Sequence, residues 1–268
     1  MKIWHQSFTV LEDLPAYAEA MRQHIAKVVR PDTEVVMHGQ LPGTYPSNYP
    51  GSDLAISSLY HLHGLQWLVQ AIRAQREGFD GYAMATLCNP LIREIRSVVD
   101  IPVIGYGEAS MHVACMLAQS FGILLFIDRM IPLYTEQIST YGLASRCIGI
   151  RPANFTFKDV LSGFENPQYV IDRFHDSARA MIKEGAEAII PGEMPMNILL
   201  ARNGVTSIDG VPIIDGLAVT MKLTETFVEL RRSVGMKQSR HGFFGEAPQS
   251  SRLSQVLSFY GLDRLTGI

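Results

Sequence analysis

Cysteine is scarce in this chain. Cys88, Cys115 and Cys147 are the three in 268 residues, an odd set without the paired spacing of a zinc site or a disulfide framework. They read as reduced thiols, so a cytoplasmic protein is expected. No stretch approaches the roughly 20 consecutive apolar residues that cross a bilayer, and the first ten residues lack the apolar run of a signal peptide. Charge of one sign is also missing. With 23 basic and 26 acidic residues the net charge is −3, which gives neither nucleic acid nor an anionic membrane a reason to bind. Cofactor signatures are absent as well. G-Y-G-E-A-S is too short for a dinucleotide fingerprint, and there is no P-loop, H-E-x-x-H or G-x-S-x-G. Any chemistry is expected to need no metal and no cofactor.

What is present is a repeat. Hydrophobic residues make up 47% of the chain, enough for one large domain or two smaller ones. Residues 77–111 read as strand, turn, helix, strand, turn and helix start, and residues 184–221 carry a weaker copy. Overlaid, Glu77-Gly78 falls on Glu184-Gly185, Thr86 on Glu193, Pro102 on Pro212 and Met111 on Met221. Such a repeat implies two similar halves. Strands are expected at 2–7, 33–38, 81–86 and 102–105, then at 121–127, 146–150, 188–191 and 211–214. Helices lie between them, with Pro15 opening the first and Asn89-Pro90 starting the one after the third strand. This alternation predicts an α/β fold with parallel sheets built from βαβ units. The loop over 39–53 is long enough to be a lid or binding loop. After Gly235 the pattern fades into a loop and a terminal helix.

The paired strand-turn-helix units, with I-P-V-I-G-Y-G-E-A-S-M-H and G-A-E-A-I-I-P-G, resemble the aspartate/glutamate/hydantoin racemase superfamily. P-V-I-G-x-G-E-A points to its hydantoin racemase branch. The resemblance covers roughly residues 2–232. It implies two pseudo-symmetric domains, each a roughly four-stranded parallel sheet flanked by helices, with the active site in the cleft between them. The last long helix would return to the first domain, giving residues 1–111 plus 222–268 as one domain and 112–221 as the other. It also implies a small-molecule substrate and a homo-oligomer. In that family two cysteines at equivalent strand ends act as opposed acid and base on the two faces of a substrate carbon. Here those positions are Thr86 and Glu193, and His5-Gln6-Ser7 replaces the usual Asn-Pro-Asn turn.

In open α/β sheets ligands collect beyond the carboxyl ends of strands, which makes residues at those ends the candidates. Glu193 can act as a general base if an apolar cleft raises its pKa; as a bland alternative it caps the next helix. Thr86 cannot be a base near neutrality, but its hydroxyl can donate to a carboxylate or an enolate oxygen. Otherwise it ends a strand and caps a helix. Cys88, two residues on, sits where a helix N-terminus would lower a thiol pKa and make it a second proton donor, or it is only a turn residue. Gln6, Ser7, Asn89, Arg151, Met194 and Glu108 are candidate substrate contacts, with Arg151 suited to a bidentate carboxylate clamp or to a surface ion pair. Cys115 and Cys147 fall at core positions, and His61 and His63 point to different helix faces.

The expectation is a cofactor-independent racemase or isomerase moving a proton next to a carboxylate or a cyclic amide carbonyl. Two alternatives stand beside it. One is a hydrolase, decarboxylase or lyase that uses Glu193 on a small amide, lactone or acid. The other is a binding protein without turnover.

Overall fold

A computed structural model describes residues 1–265. The first half comprises β1 (Lys2–Gln6), α1 (Pro15–Val28), β2 (Glu34–His38), α2 (Gly51–Leu54), α3 (Ser57–Arg76), β3 (Gly81–Met84), α4 (Ile92–Val98), β4 (Val103–Gly105) and α5 (Tyr106–Leu117). The second comprises β5 (Phe121–Leu125), α6 (Ile131–Thr140), β6 (Cys147–Pro152), α7 (Phe157–Gly163), α8 (Gln168–Lys183), β7 (Ile189–Pro191) and α9 (Met194–Arg202). Then follow β8 (Ser207–Ile208), β9 (Val211–Pro212), α10 (Gly216–Val234) and α11 (Ser250–Phe259).

The first sheet has the order β2-β1-β3-β4 and is parallel throughout. Its inner strands are buried on both faces, as parallel strands covered by helices must be, and β3 is buried along its whole length. The second sheet has the order β6-β5-β7, again parallel. β5 reads Phe-Gly-Ile-Leu-Leu without a polar residue, and every one of them is buried. Helix α8 shows the complementary pattern. Val170, Ile171, Phe174, Ala178 and Met181 form one apolar stripe at helical spacing.

The two halves are less alike than the repeat predicts, because the second sheet has three strands. A fourth was expected over 211–214. Instead Asp209 and Gly210, both with positive φ, turn the chain into an antiparallel hairpin of β8 with β9, the geometry that an Asp-Gly turn favours. That hairpin takes up Val211 and Pro212. Only Ile213 reaches the sheet, as a single parallel bridge to Ile189.

Helix α10 lies against the first sheet. Its Thr224 and Val228 methyls fill the space beside Gly81 of β3, and Gly216 at its start leaves room for the Tyr106 ring of α5. Asp215 caps it by accepting from the Ala218 amide, and Gly235 ends it in the left-handed conformation. Among the described residues no helix is long and apolar enough to cross a membrane.

Both sheets have a topological switch point, between β1 and β3 in the first and between β5 and β7 in the second. A crevice opens at such points beyond the carboxyl ends of the strands. The packing of α5 against the turn after β3 holds the first crevice in shape. A Cβ on Gly107 would stand 2.0 Å from the Leu87 carbonyl oxygen, and the Gly107 amide donates to Asn89 Oδ1. Gly107→Ala is expected to destabilise the protein by about 1–3 kcal/mol through this overpacking. Urea unfolding monitored by circular dichroism checks it.

Candidate active site

The two crevices form one pocket. Ser7, Phe8 and Thr9 follow β1, and Ala85, Thr86 and Cys88 follow β3. Phe126 and Ile127 follow β5, and Gly192, Glu193 and Met194 follow β7; all of them line it. Tyr17 of α1 and Phe157 of α7 add to the walls, and Tyr49, Pro50 and Leu54 close it from the 39–55 segment. The Tyr49 ring stacks on Phe157 with centroids 4.8 Å apart, so this segment reaches from the first half to the second. The volume of the pocket is about 60 Å³, room for a few waters.

Glu193 is the one carboxylate of the lining. It occupies the N-cap position of α9, yet its side chain makes no cap bond. It turns instead toward the end of β5. There Oε1 accepts from the Phe126 and Ile127 amides, at 3.0 Å each, and Oε2 accepts from the Phe126 amide at 3.1 Å. Those amides hold the carboxylate in place. Burial outweighs them and pushes its pKa up to about 8, with Asp128 nearby adding to the rise. The carboxyl thus exchanges a proton near physiological pH, as a general acid or base must.

The turn after β3 differs from expectation. Asn89 and Leu91 adopt positive φ, and α4 begins only at Ile92. Cys88 consequently sits in a buried turn and gains nothing from a helix terminus. Burial pushes its thiol up to about 12. The Thr86 hydroxyl lies 3.3 Å from the sulfur, and Tyr60 and Gln137 both donate to the Cys88 carbonyl. A thiol in this state is a neutral donor and a poor nucleophile. In the native protein at pH 8, Cys88 is expected to stay unmodified by iodoacetamide and to react once guanidinium is added; peptide mass mapping reads the difference.

Four expected substrate contacts lie elsewhere. Gln6 accepts from the Trp4 indole and donates to the Gly39 and Ser7 carbonyls, which ties β1 to the chain after β2. Asn89 braces its own turn, donating to the Tyr141 hydroxyl and accepting from Gly107. Arg151 forks onto Glu184 in a half-exposed ion pair. Glu108 pairs with Arg96. Each is held by a partner that its sequence neighbourhood did not reveal, and none lines the pocket. Ser7, Met194, Thr86, Cys88 and Glu193 do line it.

Sequence reasoning missed Thr9, Tyr17, Tyr49, Phe157 and the amides of Phe126 and Ile127. The long loop pointed toward Tyr49, and the strand-end rule toward Phe126. Nothing marked Tyr17, an ordinary position on an amphipathic helix. The pocket lining includes no Lys, Arg or His. Among the described residues no group of three or more His, Cys, Asp or Glu could hold a metal ion.

A buried carboxylate between the strand ends of two parallel α/β sheets defines an α/β protein equipped for proton transfer. The Asp/Glu/Hydantoin racemase family model matches residues 15–224, and the chain belongs to that family. It is an isomerase of the racemase superfamily. Among curated relatives, the hydantoin racemase of Pseudomonas sp. (strain NS671) is 28% identical over 248 residues, covering 91% of this chain and 92% of its own length. The hydantoin racemase of Rhizobium meliloti is 28% identical over 198 residues, covering 71% and 77%. The fold is shared with the allantoin racemase from Klebsiella pneumoniae, with a TM-score of 0.76 and 23% identity over 93% of this chain and 94% of that one. It is shared also with allantoin racemase from Pseudomonas fluorescens, at a TM-score of 0.67 and 21% identity over 93% and 97%.

Proposed function

We propose that Glu193 removes the acidic proton from a ring carbon beside the carbonyl of a neutral cyclic amide such as a substituted hydantoin. The observation that carries this reading is the charge of the lining. Glu193 is its one carboxylate, and no Lys, Arg or His faces it. A free carboxylate substrate would bring a second negative charge into an apolar enclosure with no cation to offset it, a costly arrangement. A neutral amide brings none. The curated relatives reported above are named for hydantoin, which supports the same substrate class.

Thr86 and Cys88 stand on the opposite strand end as neutral hydroxyl and thiol. We assign them to holding the substrate and to slow proton delivery from the β3 side, with Ser7 and Met194 as further contacts. The two halves act as domains, 1–111 plus 222–268 and 112–221, around this cleft, with 266–268 lying outside the described residues. Exposed Phe243, Phe259 and Tyr260 in the tail support assembly of the chain into a homo-oligomer. The three free thiols support a cytoplasmic location.

Proton NMR in heavy water tests the substrate class. 5-Isopropylhydantoin is expected to lose its ring C–H signal in the presence of protein, and alanine, aspartate and glutamate to keep theirs. Exchange confined to the amino acids would overturn the reading. Ring opening of the hydantoin without exchange would favour a hydrolase.

A further inference from the structure

Most donors in the pocket are already engaged. The Phe126 and Ile127 amides serve Glu193. The Thr86 hydroxyl contacts the Cys88 sulfur. The Ser7 and Thr9 hydroxyls bond to each other at 2.9 Å, and the Thr9 amide donates to Ser7 as well. The Tyr134 hydroxyl points to the Met130 sulfur.

Among the buried side-chain hydroxyls of the lining, Tyr17 is the exception. The side chain is 1% exposed, yet its hydroxyl has no hydrogen-bond partner. The ring is held edge-on by Phe164 at 6.0 Å, and the residue lines the same pocket as Glu193. The Ser7 hydroxyl is near enough to offset part of the effect of burial on the phenol, and it is already engaged with Thr9. Leaving a buried hydroxyl unsatisfied is costly. A buried polar group left in this state calls for an explanation, and a catalytic role is one.

We propose that Tyr17 donates a hydrogen bond to the substrate carbonyl oxygen on which enolate charge develops. This inference rests on the proton-transfer reading above. In the step, Glu193 takes the proton from the ring carbon. The C–H electron pair becomes the new C=C bond, and the carbonyl π pair moves onto oxygen. No group leaves and nothing is oxidised. The oxygen gains charge in a space without cations, so a fixed neutral donor there stabilises the transition state more than the ground state. Burial pushes the phenol pKa upward, and Tyr17 stays protonated throughout.

The test is Tyr17→Phe, assayed beside wild type and Glu193→Gln with (S)-5-isopropylhydantoin in heavy water. Removing one such donor is expected to lower the exchange kcat about 100-fold, with KM changed little and the midpoint of the pH profile kept. The melting temperature should be no lower than that of the wild type, because no internal bond is lost. An unchanged kcat in Tyr17→Phe, with exchange abolished in Glu193→Gln, overturns the role of Tyr17 and leaves that of Glu193 intact. A lower melting temperature also overturns it, by showing that the hydroxyl already has a structural partner, and this holds whether or not the hydantoin turns over. No exchange by the wild type counts against the proton-transfer reading itself.

Discussion

Glu193→Gln is expected to lower the rate of substrate C–H exchange about a thousandfold, within the range that a positioned general base contributes. The amide keeps the size of the side chain, and its oxygen can still accept from the Phe126 and Ile127 amides, so the fold should survive. What is lost is the capacity to hold a proton. Thr86 cannot substitute, since a hydroxyl is not a base near neutrality. Cys88 cannot either, with a thiol pushed up to about 12. Heavy-water NMR on purified protein reads the rate, and circular dichroism confirms the fold. Loss of less than about tenfold would remove Glu193 from the role of base.

The second large effect is on pH dependence. Only the ionised carboxylate can accept a proton, and the native pKa is about 8. Exchange should therefore rise about tenfold per pH unit below 8 and level off above it. Stability runs the other way. In the unfolded chain the same carboxyl titrates near its ordinary value of 4.5. Between the two values the native state keeps a proton that the unfolded state has released. Stability attributable to this group is then fully present below about 4.5 and declines as pH rises toward 8. Glu193→Gln removes that decline. Its stability relative to wild type should grow by a few kcal/mol, on the order of the linkage expected for such a shift, when urea unfolding at pH 5 is compared with unfolding at pH 9. A flat difference between the two variants across that range would show an ordinary carboxylate.

Much of this arrangement was legible in the residues. The overlay of Thr86 on Glu193 placed both at strand ends, and both line the pocket. The alternation of strands and helices gave the parallel sheets. The rest depended on contacts between distant segments. Arg151 looks like a carboxylate clamp until α8 brings Glu184 to it, and Glu108 looks free until the end of α4 supplies Arg96. Cys88 looked like an activated thiol because Asn89-Pro90 reads as a helix start, whereas left-handed Asn89 and Leu91 delay the helix and bury the sulfur. The fourth strand of the second sheet was lost to Asp209-Gly210, a hairpin turn signal immediately before the segment that the repeat had assigned to a strand. Tyr17 carried no signal, because an unpartnered hydroxyl is a property of the folded pocket.

The central claim is that one carboxylate, on one face, does the carbon-proton chemistry. A single enantiomer of 5-isopropylhydantoin, incubated in heavy water and separated on a chiral column at short times, tests it most directly. With Glu193 as the sole efficient base, deuterium should enter one enantiomer with its configuration retained, faster than the opposite enantiomer forms. Deuterium found only in the inverted product, at equal rates from either starting enantiomer, would mean two matched bases on opposite faces and would contradict the account.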